Sequence, residues 1–141
     1  MRNILIDPVS AHYLGNKLFD HEDPILNRDN TLEPGIKLKD KLMSQGVQMH
    51  TVDVAIAKGI RGDYWNMGNL QSPYMDAKYE EMFDTRNLML FEPPVVKPRL
   101  YRTIYRHVAN FDYIYVHSTD IIAPYLDAAH MGKVRPFRWP I

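Results

Sequence analysis

Leu88-Met89-Leu90-Phe91-Glu92-Pro93-Pro94 is the stretch on which the fold turns. A compact apolar run that stops on a carboxylate and two prolines reads as a buried strand over residues 87–91. Proline cannot donate to a sheet ladder, so the strand must end there. After Pro98, apolar residues recur at Leu100, Tyr101, Ile104, Tyr105 and Val108, which is one face of a helix. Arg99, Arg102, Arg106 and His107 fall on the other face. Residues 111–116 form a second apolar run, Phe-Asp-Tyr-Ile-Tyr-Val. Strand, helix and strand in that order imply a parallel pair joined by a right-handed crossover.

The same reading extends both ways along the chain. Ser118 or Thr119 can cap a helix that carries Ile121, Ile122, Tyr125, Leu126 and Ala129 and stops at Gly132. Residues 134–141 read as a last extended stretch. At the other end, Asn3 to Ile6 is a short first strand closed by Asp7-Pro8. Thr31 offers a cap for a helix with Ile36, Leu38, Leu42 and Met43, ended by Gly46. Residues 47–57 are partly alternating and rich in β-branched side chains, so they read as the second strand, centred on 49–54. Residues 9–30 read as a long loop with a helical turn near 16–19. Residues 58–72 read as another loop, pinned by Tyr64, Trp65 and Met67, and 74–83 as a short helix. The expected product is one α/β domain, a Rossmann-like three-layer sandwich around a mostly parallel sheet of about five strands.

Composition narrows the function. Lys plus Arg and Asp plus Glu both number 17, so the net charge is zero and a nucleic-acid binder is not expected. Cysteine is absent, which rules out disulfides, thiolate metal sites and a cysteine nucleophile. The six histidines show no metal-ligand spacing, so no metal is expected. No Gly-x-Gly-x-x-Gly or Walker sequence is present, and Gly59, Gly62 and Gly68 lack the spacing of a phosphate cradle. No apolar run reaches membrane-spanning length, and the first apolar stretch is too short for a signal peptide, so the expected location is cytoplasmic. The nine tyrosines suit core packing first, although a sugar-binding surface shares that composition.

Ligands of open parallel sheets bind beyond the carboxyl ends of the strands. Asp7, Asp53, Glu92 and the run His117-Ser118-Thr119-Asp120 all fall at or near such ends. Glu92 stands out because two prolines stiffen the backbone that carries it. A partly buried carboxylate there suits a general base acting on a hydroxyl. On the residues alone, an ion pair with Lys97 or Arg99, or a cap on a nearby amide, is the simpler account. His117, Ser118 and Asp120 resemble a triad in residue type only, and helix capping explains them more simply. The Arg99, Arg102, Arg106 row reads as a solvated helix face that could meet a phosphate or an acidic partner.

The segment Leu90-Phe91-Glu92-Pro93-Pro94-Val95-Val96-Lys97-Pro98, followed by Phe111-Asp112-Tyr113-Ile114-Tyr115-Val116-His117, resembles the acceptor-side half of the α-1,3-fucosyltransferase family. There a Glu-Ser-Pro-like element ends a strand and a Phe-Asp-x-hydrophobic strand follows. The closing Arg135-Pro136-Phe137-Arg138-Trp139-Pro140-Ile141 is similar to the stretch that leads toward the donor half. The likeness covers residues 88–141, and Pro93 departs from the small polar residue usual in the family.

The resemblance implies an inverting GT-B glycosyltransferase in which Glu92 removes the proton from an acceptor hydroxyl. Asp7, His12, His117 and Ser118 are then the expected acceptor-binding residues, and a glycan is the expected partner. The donor, GDP-fucose, belongs to a second Rossmann-like domain or a partner chain, so this chain is expected to hold no cofactor and to be inactive alone. The alternative is a non-catalytic α/β module for interaction or dimerisation, with the last strand as an edge for a homodimer.

Overall fold

The computed structural model describes residues 2–8, 14–16, 33–90 and 92–137. Six strands form one sheet: β1 (Arg2–Ile6), β2 (Val47–Thr51), β3 (Gly62–Asn66), β4 (Phe83–Leu90), β5 (Tyr113–Val116) and β6 (Val134–Pro136). Their order is β2-β1-β3-β4-β5-β6, and every neighbouring pair is parallel. The helices among the described residues are α1 (Glu33–Ser44), α2 (Val52–Lys58), α3 (Pro98–Thr103), α4 (Thr119–Ile122) and α5 (Ala128–Met131). The α/β, Rossmann-like three-layer class is the one expected, with one strand more than the sequence reading and no antiparallel member. No described helix is long and apolar enough to cross a membrane.

The additional strand is β3, which lies between β1 and β4 where residues 58–72 read as a loop. Its sequence Gly62-Asp63-Tyr64-Trp65-Asn66 contains three residues that strands disfavour. Each has a local reason. A side chain at Gly62 would fall on the Asn3 carbonyl of the adjacent strand, so β1 and β3 approach closely only because this residue is glycine. Asp63 accepts from Arg2 at 3.0 Å and from Thr85 at 2.8 Å, pairing the strand to both neighbours. Asn66 closes the strand by binding the following loop.

Four further elements depart from the sequence reading. Residues 47–57 are not one strand: β2 ends at Thr51, and α2 begins at Val52. Val52 and Ala55 of α2 are fully buried, so the apolar run serves a strand and then a helix face. Residues 74–83 are two short 3-10 turns, Pro73–Met75 and Ala77–Met82, opened by the side chains of Ser72 and Asp76. Phe83 belongs to β4, and Phe91 lies outside the described residues. The helices expected over 98–108 and 119–131 break into shorter pieces. Pro124 lies in a 3-10 turn between α4 and α5, and Asp127 caps α5 by accepting from His130 N–H at 2.9 Å. Tyr105, expected on the apolar face, is 57% exposed because the chain tightens to 3-10 geometry after Thr103.

Strand side chains alternate between two cores. Leu5, Tyr64, Leu88, Leu90, Ile114 and Val116 face one side, where Val52, Tyr101, Ile104, Val108 and Ile122 meet them. On the other side Ile4, Ile6, Met49 and Trp65 meet Ile36 and Leu42 of α1. Each fully buried aliphatic side chain contributes roughly 1.5–3 kcal/mol against solvent exposure. Leu38 and Met43, expected on the buried stripe of α1, are about half exposed, so that stripe is narrower than the sequence pattern implied. The expected Thr31 cap, all but Asn16 of the expected turn near 16–19 and most of residues 9–30 lie outside the described residues.

The winding direction reverses at β1. β2 flanks it on one side, while β3 to β6 run away on the other. The carboxyl ends of β1 and β3 therefore frame the switch point at which open parallel sheets bind ligands.

Gly62→Ala should lower unfolding free energy by about 2 kcal/mol or more, because backbone rather than a flexible side chain blocks the new methyl. Urea denaturation checks this, and an unchanged midpoint would contradict the close β1–β3 packing.

Candidate functional site

Because the sheet is wholly parallel, all its carboxyl ends share one edge, and the candidate residues gather along it. Asp7 follows β1 directly and is only 2% exposed. Its N–H donates to Trp65 O at 2.9 Å. The Tyr64 hydroxyl donates to Asp7 Oδ2 at 2.7 Å, and the Ser72 hydroxyl donates to the same oxygen. Asn66 Nδ2 in turn donates to the Tyr64 oxygen at 3.1 Å and to Asn69 O at 2.7 Å. Asn66 Oδ1 accepts from Gly68 N–H at 2.9 Å and Asn69 N–H at 2.8 Å. A buried polar network thus ties the end of β1 to the whole loop that follows β3. Burial, and next the Asp7 charge, push the Tyr64 phenol well above its ordinary value of 10.0.

Asp53, expected near the end of β2, lies in the first turn of α2. Its Oδ2 accepts from Gly15 N–H at 2.7 Å. Asn16 Oδ1 accepts from Thr51 N–H at 2.7 Å and from the Thr51 hydroxyl at 3.0 Å. These contacts fasten the segment after β1 to the end of β2.

Glu92 stands on the same edge, beyond β4. It lines a cleft of about 240 Å³ with Met67, Gly68, Met89, Lys97 and Leu100. Its side chain is 50% exposed, and its Oε2 lies 3.9 Å from Lys97 Nζ. The backbone beneath it is held firmly. Its carbonyl accepts from the buried Tyr101 hydroxyl at 2.8 Å, and Pro93 O accepts from Val96 and Lys97 N–H at 3.0 and 3.1 Å. Burial raises the Tyr101 phenol above its ordinary value. Of the partners named for Glu92 from the sequence, Lys97 rather than Arg99 pairs with it, and the carboxylate also faces the cleft. An exposed pair at that separation is worth about 0–1 kcal/mol, so the lysine does not lock the carboxylate.

At the end of β5 the described residues assemble no triad. His117 is exposed and meets the Phe137 ring edge-on at 6.4 Å. Ser118 occupies the cap position of α4, but its side chain makes no capping hydrogen bond, which corrects the capping expectation. Its carbonyl accepts from Ile121 N–H at 3.1 Å instead. No hydrogen bond joins His117, Ser118 and Asp120 among the described residues, so no triad forms. His12 lies outside the described residues. No group of three acidic or histidine side chains among the described residues is arranged to hold a metal ion.

Sequence reasoning missed Asn66, Gly68 and Tyr101 as builders of the site; it named Lys97 only as one of two partners for Glu92, and Tyr64 only as a pin for a loop. The Asn66-Met67-Gly68-Asn69 run carries a turn signal that marks a strand end, but only once β3 is recognised. No family model, curated protein or solved structure matches the chain.

Tyr64→Phe removes a buried donor from Asp7 and should cost about 1–3 kcal/mol at neutral pH. The raised phenol favours the folded state fully below the ordinary pKa of 10.0, and that contribution is lost as pH rises beyond it. The gap in unfolding free energy between wild type and Tyr64→Phe should therefore be constant near about pH 8 and shrink above about pH 10. Denaturation at both pH values measures it; a gap that stays flat would argue against a buried Tyr64 hydroxyl.

Proposed function

We propose that the chain is the acceptor-side domain of a fucosyltransferase-like inverting glycosyltransferase, with Glu92 as general base. The supporting observation is the position of Glu92: half exposed, on a rigid strand end, in a cleft at the carboxyl edge of a parallel sheet. In this reading a glycan hydroxyl displaces Lys97 from Glu92 and passes its proton to the carboxylate. The freed oxygen attacks the anomeric carbon of fucose, and GDP departs with the bonding electrons. Positioned base catalysis of this kind supplies about 10²–10⁴-fold in rate. The residues around the switch point hold the cleft in shape. GDP-fucose is assigned to a second Rossmann-like domain or a partner chain, and the working compartment to the cytoplasm.

A second reading, a non-catalytic module for interaction or homodimer formation, is favoured by Val95 and Val96, which are 85% and 56% exposed on the same edge. An acceptor half would also present an apolar edge to its donor half, so these valines serve either reading. β6 is a less promising surface. It pairs in register with β5, and Pro136 removes one donor from its open side.

Titration of the purified chain with neutral and acidic glycans should shift the methyl signals of Met67 and Met89, which line the Glu92 cleft. Glu92→Gln should retain that binding, since it keeps the shape and loses the base. Mixed with GDP-fucose and a glycan, the 141-residue chain should form no product. Failure of every glycan to move those methyls would overturn the acceptor assignment. Turnover by the chain alone would overturn the placing of the donor elsewhere. If the chain sediments as a dimer that Val95→Ser with Val96→Ser dissociates, the second reading gains.

A further inference from the structure

The Glu92 cleft is one end of a longer depression. A second concavity of about 660 Å³ adjoins it and shares Gly68 and Leu100 as lining. Its other walls include Gln71 from the loop after β3, and Arg99, Arg102 and Thr103 from α3. Arg99 and Arg102 stand three residues apart, so they lie side by side on one helix face. Neither forms an ion pair with a carboxylate among the described residues. Arg102 Nε donates to Pro98 O at 3.3 Å, which leaves its remaining N–H groups open.

This geometry separates the arginine row into two kinds. Arg106 turns to its neighbour, with Nε donating to the Tyr105 hydroxyl at 3.1 Å, and it does not line the depression. Arg99 and Arg102 do. Together with Lys97 they set three cations against the single carboxylate of Glu92, in a chain whose net charge is zero. Such local asymmetry selects an anion, and a guanidinium presents its donors in the fork that carboxylate, sulfate and phosphate groups match.

We propose that the acceptor is an acidic glycan. Its anionic substituent is bound by Arg99 and Arg102, and its reacting hydroxyl reaches Glu92. Leu100 lies between the two as an apolar floor for a sugar ring. The proposal rests on the reading of the Glu92 cleft as an acceptor site, and it adds a substrate class to that reading.

The test is titration of the 141-residue chain with lactose and cellobiose and with their sialylated, sulfated and phosphorylated forms. At least one acidic form should bind about tenfold or more tightly than its neutral parent, and the order among the three identifies the anion. Added salt should erode that preference and leave neutral binding unchanged. Arg99→Ala with Arg102→Ala, both at exposed positions, should bring the acidic form to the affinity of its parent without lowering Tm. If neutral and acidic forms bind equally, or the double variant keeps the preference, the acidic-glycan proposal falls and the acceptor reading stands. Inorganic phosphate binding as tightly as the acidic glycans would make this a plain anion site and also defeat the proposal. If no glycan binds at all, both fall together.

Discussion

The Tyr64 hydroxyl and the Asp7 carboxylate meet at 2.7 Å in the interior, where the winding of the sheet reverses. A carboxylate 2% exposed is tolerated only when its oxygens are occupied, and the Ser72 hydroxyl adds to that occupation. The contact joins β1 to β3 and, through Ser72 and Asn66, draws the loop after β3 down onto the sheet edge. That loop supplies one wall of each cleft. The shape of the site therefore depends on a polar contact between residues that line neither cleft. If it is broken, the wall loses its anchor while the apolar core on either side of the sheet persists.

Tyr64 is also the link between this network and the core. Its ring is fully buried and stacks on Phe83 with centroids 4.6 Å apart, while its hydroxyl reaches the switch point. One side chain thereby fixes the depth of β3 against the start of β4 and the position of the loop at the other end. A phenylalanine would keep the packing and forfeit the anchor, whereas a leucine would forfeit both.

The sequence was legible where apolar runs end on prolines or repeat at helical spacing. β4, α3 and β5 followed from Leu88-Met89-Leu90, Pro98 and the run over 111–116, and the strand after α5 followed from Val134. The parallel arrangement followed from their alternation. β3 was not legible, because Gly62 and Asp63 are turn formers whose use here is decided by partners far away in sequence, Asn3, Arg2 and Thr85, and Asn66 reads as a strand end only once β3 is known. The boundary between β2 and α2 was hidden for a different reason. The partial alternation of β-branched residues carries on past Thr51, and a core that takes Met49 from the strand and Val52 from the helix leaves no break to read. Glu92 was found because its two prolines are local. Lys97 was one of the two partners named for it, and the choice over Arg99, like the division of the arginine row, depends on how α3 is placed, which no local pattern discloses.

Gly68 shows how the loop keeps the depression open. Its φ of 101° is a conformation that L side chains rarely adopt, and a Cβ there would come within 3.7 Å of Leu100 Cδ2. The two residues are the shared lining of the Glu92 cleft and the arginine cleft. A larger residue at this point would both strain the turn held by Asn66 and narrow the passage between the carboxylate and the guanidinium groups. Glycine, required by the backbone, thus also leaves room for a ring spanning the two charged ends. The spacing between the Glu92 carboxylate and the two guanidinium groups is then set by structured elements on both sides: the end of β4 under Glu92 and the turns of α3 under Arg99 and Arg102. Fixed elements of this kind orient a bound molecule better than mobile loops do, because little entropy is left to lose when it arrives.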